Sequence, residues 1–173
     1  MNKVYFTSIN TVIGPLYIAT SKNGLCRIGL SESHEAFTAW LSKHFEYIEE
    51  SHEKNSVIVE QLLAYLDGSL KEFKVDLDLI GTPFQVKVWT ALSQIPYGDV
   101  CSYKELAIRA GSPKGFRAVG MANNKNPIPI IVPCHRVIGS NRELVGFGGG
   151  LDMKKQLLEL EGRIVCEGKV INI

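Results

Sequence analysis

The sequence predicts an α+β fold: a small N-terminal β-sheet with helices over residues 1–80, then a mostly helical domain over residues 81–173. Three observations predict it. The first thirty residues alternate apolar and polar and are punctuated by turn signals. Helical periodicity takes over in the middle of the chain. From Thr82 onward, helix start signals recur at short intervals around an apolar, proline-rich segment.

Gly14-Pro15 and Asn23-Gly24 are turn dipeptides, so three short strands are expected near Val4–Ser8, Leu16–Thr20 and Leu25–Leu30. Two amphipathic helices follow, near Glu35–Phe45 and Ser56–Leu66; in the second, Val57, Leu62, Tyr65 and Leu66 are compatible with one face. Asp67-Gly68 ends it. Residues 69–81 read as a charged connector with alternating Val75, Leu77 and Leu79, closing on Gly81.

Thr82-Pro83-Phe84-Gln85 combines an N-cap, a proline at N1 and a capping-box glutamine. Phe84, Val88, Ala91, Leu92 and Ile95 form the apolar stripe of that helix, and Pro96-Tyr97-Gly98 stops it. Ser102-Tyr103-Lys104-Glu105 is a second capping box, opening a short helix through Ala110. Gly111 turns the chain, and Ser112-Pro113 opens a third helix reaching about Asn123. Two short helices so joined have the spacing of a helix-turn-helix. In the third, Gly115, Ala118 and Ala122 make one face of small side chains, with Gly120 adding another small residue. A glycine inside a helix costs about 1 kcal/mol relative to alanine, so close approach to something is expected. Tight helix packing and backbone approach to a narrow groove both remain open.

Composition narrows the class. Of 173 residues, 45% are hydrophobic and 21% charged, as in ordinary globular proteins. Four cysteines without paired spacing do not suggest a disulfide framework. Met1-Asn2-Lys3-Val4-Tyr5 lacks a signal-peptide layout, and no apolar stretch approaches the roughly 20 residues that span a bilayer. A cytoplasmic, nucleoid-associated location with reduced thiols and no membrane partner is expected. Net charge is +1, but it is unevenly spread. Residues 1–80 hold 7 Lys/Arg against 11 Asp/Glu (−4), and residues 81–173 hold 12 against 7 (+5). A phosphate-rich partner would prefer the second half.

That half contains Asn126-Pro127-Ile128-Pro129-Ile130-Ile131-Val132-Pro133-Cys134-His135-Arg136-Val137. Its prolines fix their own backbone angles and bias their predecessors to extended geometry. The segment therefore delivers Cys134 to a defined place beside a base. An unshifted thiol is only about a few per cent thiolate at neutral pH, so such a neighbour matters. Adjacent strand residues point to opposite faces, so Cys134 and His135 can cooperate only across a turn, a helix start or a bridging water. Cys26, Cys101 and Cys166 carry no such neighbours and read as small hydrophobes.

The Pro-Cys-His-Arg-Val string, after Asn-Pro-Ile-Pro-Ile-Ile-Val, closely resembles the active-site signature of the O6-alkylguanine-DNA alkyltransferases. The resemblance runs from Thr82 to Glu161-Gly162, and more loosely through the N-terminal part. It implies that residues 81–173 are a DNA-binding and alkyltransferase domain that flips a damaged guanine from duplex DNA and moves its O6-alkyl group irreversibly to Cys134. By the same resemblance, His135 is the base, acting through a bound water, and Glu161 orients it. Asn126 braces the active-site turn. Tyr103 helps rotate the phosphate and donates to guanine N3. Arg117 fills the gap left by the base, and the small face of Gly115, Ala118 and Ala122 approaches the minor groove. Val137, Phe147, Gly148 and Gly149 line the base pocket: the Cys134 and Val137 carbonyls accept the exocyclic amine, and a backbone N–H near Gly148 serves O6.

The family also implies duplex DNA containing O6-alkylguanine as partner, and a monomer that needs no metal or other cofactor. Some relatives carry a structural zinc, but Cys26, His34, His44 and His52 lack recognised ligand spacing. The Gly146-Phe147-Gly148-Gly149-Gly150 loop departs from the best-known members: Phe147 replaces a common tyrosine and Gly148 a frequent serine. A loose loop and a pocket tolerating groups larger than methyl are expected. Competing classes are a thiol hydrolase, which would leave the helix-turn-helix idle; a helix-turn-helix DNA-binding regulator, which would leave the thiol segment unexplained; and a non-catalytic alkyl-lesion-binding protein, which would lack the reactive cysteine.

Overall fold

A computed structural model describes residues 2–172, which divide into two compact units between Leu79 and Ile80. The first unit opens with the strands β1 (Lys3–Thr11), β2 (Gly14–Ser21) and β3 (Gly24–Leu30). They form antiparallel hairpins at the two predicted turns. Gly24 takes φ +136°, and a Cβ there would sit 2.3 Å from the Asp76 carbonyl oxygen, so only glycine fits. Helix α1 (His34–His44) is capped by the Ser33 hydroxyl; α2 (His52–Leu66) is capped by that of Ser51.

Between the helices lies a strand the sequence did not suggest. β4 (Tyr47–Glu50) pairs parallel with β1, completing a sheet of order β3-β2-β1-β4. Four residues, three of them polar or aromatic with little alternation, offer no hydrophobic pattern, and backbone pairing alone defines this edge. The expected connector likewise joins the sheet. Asp76 accepts from the Leu25 N–H (2.9 Å) and Asp78 donates to the Leu25 carbonyl (2.8 Å), satisfying the open edge of β3. α1 covers the sheet face that carries Phe6 and Tyr17, whose rings meet Phe37. α2 covers the opposite face, where its buried Asn55 is bonded to Thr20.

The second unit begins with α3 (Pro83–Leu92), whose Thr82/Gln85 capping box forms as predicted. Val88, Ala91, Leu92 and Ile95 of the expected stripe are buried, but Phe84 is exposed at 36% and Trp89 takes the inward position. The Trp89 indole donates to the Ala122 carbonyl at 2.8 Å. After β5 (Cys101–Ser102), the Ser102/Glu105 capping box opens α4 (Tyr103–Arg109), and Gly111 turns the chain at φ +74°.

Helix α5 (Phe116–Asn124) starts later than its Ser112-Pro113 signal implied. Residues 112–115 instead close a separate turn, in which the Gly115 N–H donates to the Ser112 carbonyl at 2.9 Å. Gly115 is the N-cap, not a helical residue, and its close neighbour is the Ser112 hydroxyl of its own turn. A 3₁₀ turn (Cys134–Arg136), β6 (Val137–Ile138), α6 (Leu151–Leu160), β7 (Val165–Cys166) and β8 (Lys169–Val170) complete the chain. β5 pairs parallel with β6: Cys101 lies opposite Val137 and Ser102 opposite Ile138. The pairing ties the start of α4 to the residues immediately after Cys134. Among the described residues no helix is long and apolar enough to cross a membrane.

Candidate active site

The Pro-rich segment folds back on itself around Asn126. Its side-chain amide donates to the Val132 carbonyl (2.7 Å) and its carbonyl oxygen accepts from the Ile128 N–H (3.0 Å). Ile130, almost wholly buried, is held at φ +75°, a conformation that β-branched residues rarely adopt. The surrounding bonds stabilise it against that strain. The segment then enters the 3₁₀ turn, so Cys134 and His135 are turn residues rather than strand neighbours. Cys134 is 6% exposed and His135 fully buried.

His135 Nε2 lies 3.1 Å from Glu161 Oε1. Glu161 caps the C-terminus of α6, followed by Gly162 at φ +90°. Burial pushes the Glu161 carboxyl up, but hydrogen bonds and charge from His135 and Arg136 outweigh it and hold the group at about 2. Glu161 is therefore an anion that can only accept, so Nε2 must carry the imidazole hydrogen. Nδ1 is left with the free lone pair, and it is buried with no hydrogen-bond partner among the described residues. Burial lowers the His135 pKa more than Glu161 raises it, so the imidazole is neutral at physiological pH. Burial also raises the Cys134 thiol, against opposing effects of Asn126 and Lys154. The free protein thus presents a protonated thiol next to a neutral base. Among the described residues no hydrogen bond joins the two side chains directly.

Two buried charges were not singled out from sequence. Arg136 donates to both oxygens of Glu161 (2.5–3.1 Å) and to the Ile95 carbonyl (2.6 Å). Lys154, at 0% exposure, donates through Nζ to the carbonyls of Val137 (2.6 Å), Val145 (3.0 Å) and Gly146 (3.2 Å). Burial lowers it to about 8. The sequence did carry a signal for it. Lys154, Leu157, Leu158 and Glu161 share one helical face at i, i+3, i+4 and i+7, and a lysine in a buried stripe needs a partner.

Tyr103, the first residue of α4, donates its hydroxyl hydrogen to the Val145 carbonyl at 2.9 Å. Burial raises its pKa, so it stays a donor. Lys154 and Tyr103 together fix the loop ahead of Phe147, whose carbonyl accepts from Gly150 at 3.0 Å. A Cβ at Gly148 would meet nothing within 4 Å, and Phe147 and Gly149 are half-buried. The Val137 carbonyl is already bonded to Lys154, and that of Cys134 to the Val137 N–H. An amine donor would have to use the second lone pair of each.

The site residues thus fall into two groups. Cys134, His135, Asn126, Val137 and Glu161 converge with Arg136 and Lys154; Tyr103 joins them through the Val145–Gly146 loop. Arg117 and Ala118 are instead exposed on α5, and Arg117 has no hydrogen bond or ion pair to the described residues. Ala122 is buried (3%) beneath the Trp89 indole, on the packing side of the helix, and Gly115 is the half-buried cap. The small-residue face therefore divides: Ala122 serves packing, the half-buried Gly120 stands against the Tyr103 ring, and Ala118 is exposed.

Comparison with known proteins returns one family for both units. Residues 83–163 match the 6-O-methylguanine DNA methyltransferase DNA binding domain, and residues 4–79 match the ribonuclease-like domain of the same family. A methylated-DNA–protein-cysteine methyltransferase of Mycobacterium leprae is 45% identical over 160 residues, 91% of this chain and 92% of its own. One from Methanosarcina acetivorans is 44% identical, over 92% and 99%. The crystal structure of the Mycobacterium tuberculosis O6-methylguanine methyltransferase superposes with a TM-score of 0.79 at 45% identity, over 91% of this chain and 92% of its own. That of Mycobacterium tuberculosis OGT in complex with DNA gives 0.78 at 44%, over the same shares.

Proposed function

Since the chain belongs to the methylated-DNA–protein-cysteine methyltransferase family, we propose that Cys134 takes the alkyl group from guanine O6 in duplex DNA, once and irreversibly. The observation that carries the residue assignment is the His135–Glu161 pair. An ionised carboxylate on Nε2 leaves Nδ1 as a buried base with no partner among the described residues, on the residue that follows the buried thiol in the 3₁₀ turn.

The thiol proton passes to Nδ1 of His135 through a bridging water, and the imidazolium is stabilised by Glu161. Sulfur attacks the alkyl carbon in line with the C–O6 bond. The C–S bond forms, the C–O6 bond breaks, and its electron pair remains on the guanine. Negative charge builds on the purine, where the Tyr103 hydroxyl, giving up its bond to the Val145 carbonyl, donates to N3 and the Gly148 backbone N–H to O6. Guanine finally takes up the proton that sulfur lost, so the transfer consumes no net acid or base. Lys154 holds the Val137, Val145 and Gly146 carbonyls in place, and its charge favours the thiolate. Asn126 keeps the strained turn closed.

DNA engages the helix-turn-helix of α4 and α5. Tyr103 turns the target phosphate and Arg117 fills the space of the extruded base. Residues 81–173 carry DNA binding and transfer, and residues 1–80 form a separate α/β domain. The protein acts as a monomer in the cytoplasm, at the nucleoid, on duplexes containing O6-alkylguanine. The open space at Gly148 supports acceptance of groups larger than methyl. The test is transfer of label from a duplex carrying one radiolabelled O6-methylguanine. Label should move to protein up to equimolar amounts, without turnover, and Cys134→Ser should take none. Multiple turnover, or binding without transfer, would overturn the proposal.

A further inference from the structure

The exposed side of α5 is not a plain polar surface. Phe116 is 51% exposed and Met121 63%, and they flank Arg117 in sequence at i−1 and i+4. Scattered exposed apolar residues need no explanation. Here two large ones share a nine-residue helix with no acidic residue and no side-chain N-cap. Nothing on that helix repels phosphate, and its N-terminal N–H groups add positive potential.

The helical rows fix where each side chain stands. Phe116 and Gly120 lie four apart on one row, and a Cβ at Gly120 would sit 3.7 Å from the Tyr103 ring. Phe116 therefore stands about 6 Å, one turn, further along the row that faces Tyr103. Resting on the transferase reading above, we propose that Phe116 is an apolar wedge: it enters the minor groove at the base step beside the target guanine and loosens the stack before the base is extruded. Met121, exposed at i+4 from Arg117, extends the apolar surface one turn on along the arginine's own row. Apolar side chains inserted between base steps from minor-groove elements unstack and kink duplexes in this way. The occupant is duplex DNA rather than protein, because the patch is continuous with Arg117 and lies within the segment that matches the family's DNA binding domain.

The experiment compares two alkyl donors: a duplex containing O6-methylguanine, and the free base O6-benzylguanine, which has no stack to open. Rates are measured for wild type, Phe116→Ala and Phe116→Trp, together with fluorescence of 2-aminopurine placed next to the lesion. The ratio of duplex rate to free-base rate should fall about tenfold or more in Phe116→Ala, with a smaller 2-aminopurine rise, and Phe116→Trp should restore both. A ratio within about twofold of wild type overturns the inference. It is equally overturned if that unchanged ratio accompanies loss of self-association in sedimentation, which would assign the patch to a second copy. A wild-type protein inert toward both donors sinks the transferase reading itself, a result distinct from either of these.

Discussion

Glu161→Gln is the most demanding perturbation of the site, because it keeps the shape and removes one charge. The carboxylate faces His135 at 3.1 Å and Arg136 at 2.5–3.1 Å, all buried. Lowering its pKa from 4.5 to about 2 corresponds to about 3 kcal/mol of stability. The folded-state value is depressed, so this stability is fully present above the unfolded value and is lost as pH falls from about 5 toward 2. A glutamine amide has one acceptor and one donor group. If the donor faces His135, Nε2 must accept, the hydrogen moves to Nδ1 and the base is lost. In either orientation the buried Arg136 guanidinium loses its anion. We expect Glu161→Gln to lose about 3 kcal/mol in urea unfolding at pH 7, and to lack the acid-side fall of wild type. Single-turnover alkyl transfer by rapid quench should slow by about 100-fold or more. A folded variant reacting within about threefold of wild type would refute the tautomer argument.

Lys154→Met tests the buried lysine. Its drop from 10.5 to about 8 means that the unfolded chain holds the extra proton between those values, so Lys154 makes stability rise with pH across that window. The wild-type minus Lys154→Met stability difference, from denaturant melts, should rise by about 3 kcal/mol between pH 8 and 10.5, and transfer should slow because three carbonyls lose their donor. The depressed His135 pKa keeps the base neutral below the ordinary histidine range, so the wild-type rate should hold through pH 6.5 and fall only in more acid solution. A pH–rate profile bending at 6.5 or above would contradict this. Asn126→Ala removes two hydrogen bonds from a turn strained at Ile130, and should cost about 1–3 kcal/mol in thermal or urea melts and slow transfer in parallel.

The elements bounded by strong local chemistry were readable from the sequence. Both capping boxes and the two hairpins involve contacts within a few residues, and each formed where its signature lay. β4 and the strand-like pairing of residues 76–78 were not readable, because their only cause is an unsatisfied edge far away in sequence. α5 began three residues late because Ser112 closed a turn on Gly115 instead of capping a helix. The cysteine segment was legible as a motif, but its energetics were not. Arg136 stood in plain view beside His135, yet its partner Glu161 lies 25 residues on. Lys154 could have been flagged as a charge within an apolar helical stripe. Its three carbonyl acceptors depend on loops whose course no local pattern encodes.

The measurement that bears most directly on Cys134 is peptide mapping by tandem mass spectrometry after incubation with a duplex holding O6-methylguanine under reducing conditions. The account predicts that the peptide containing Cys134 gains one methyl on sulfur, in proportion to lesion consumed, while Cys26, Cys101 and Cys166 remain unmodified. A methyl on any of those three instead, or complete lesion loss with Cys134 unmodified, would contradict it.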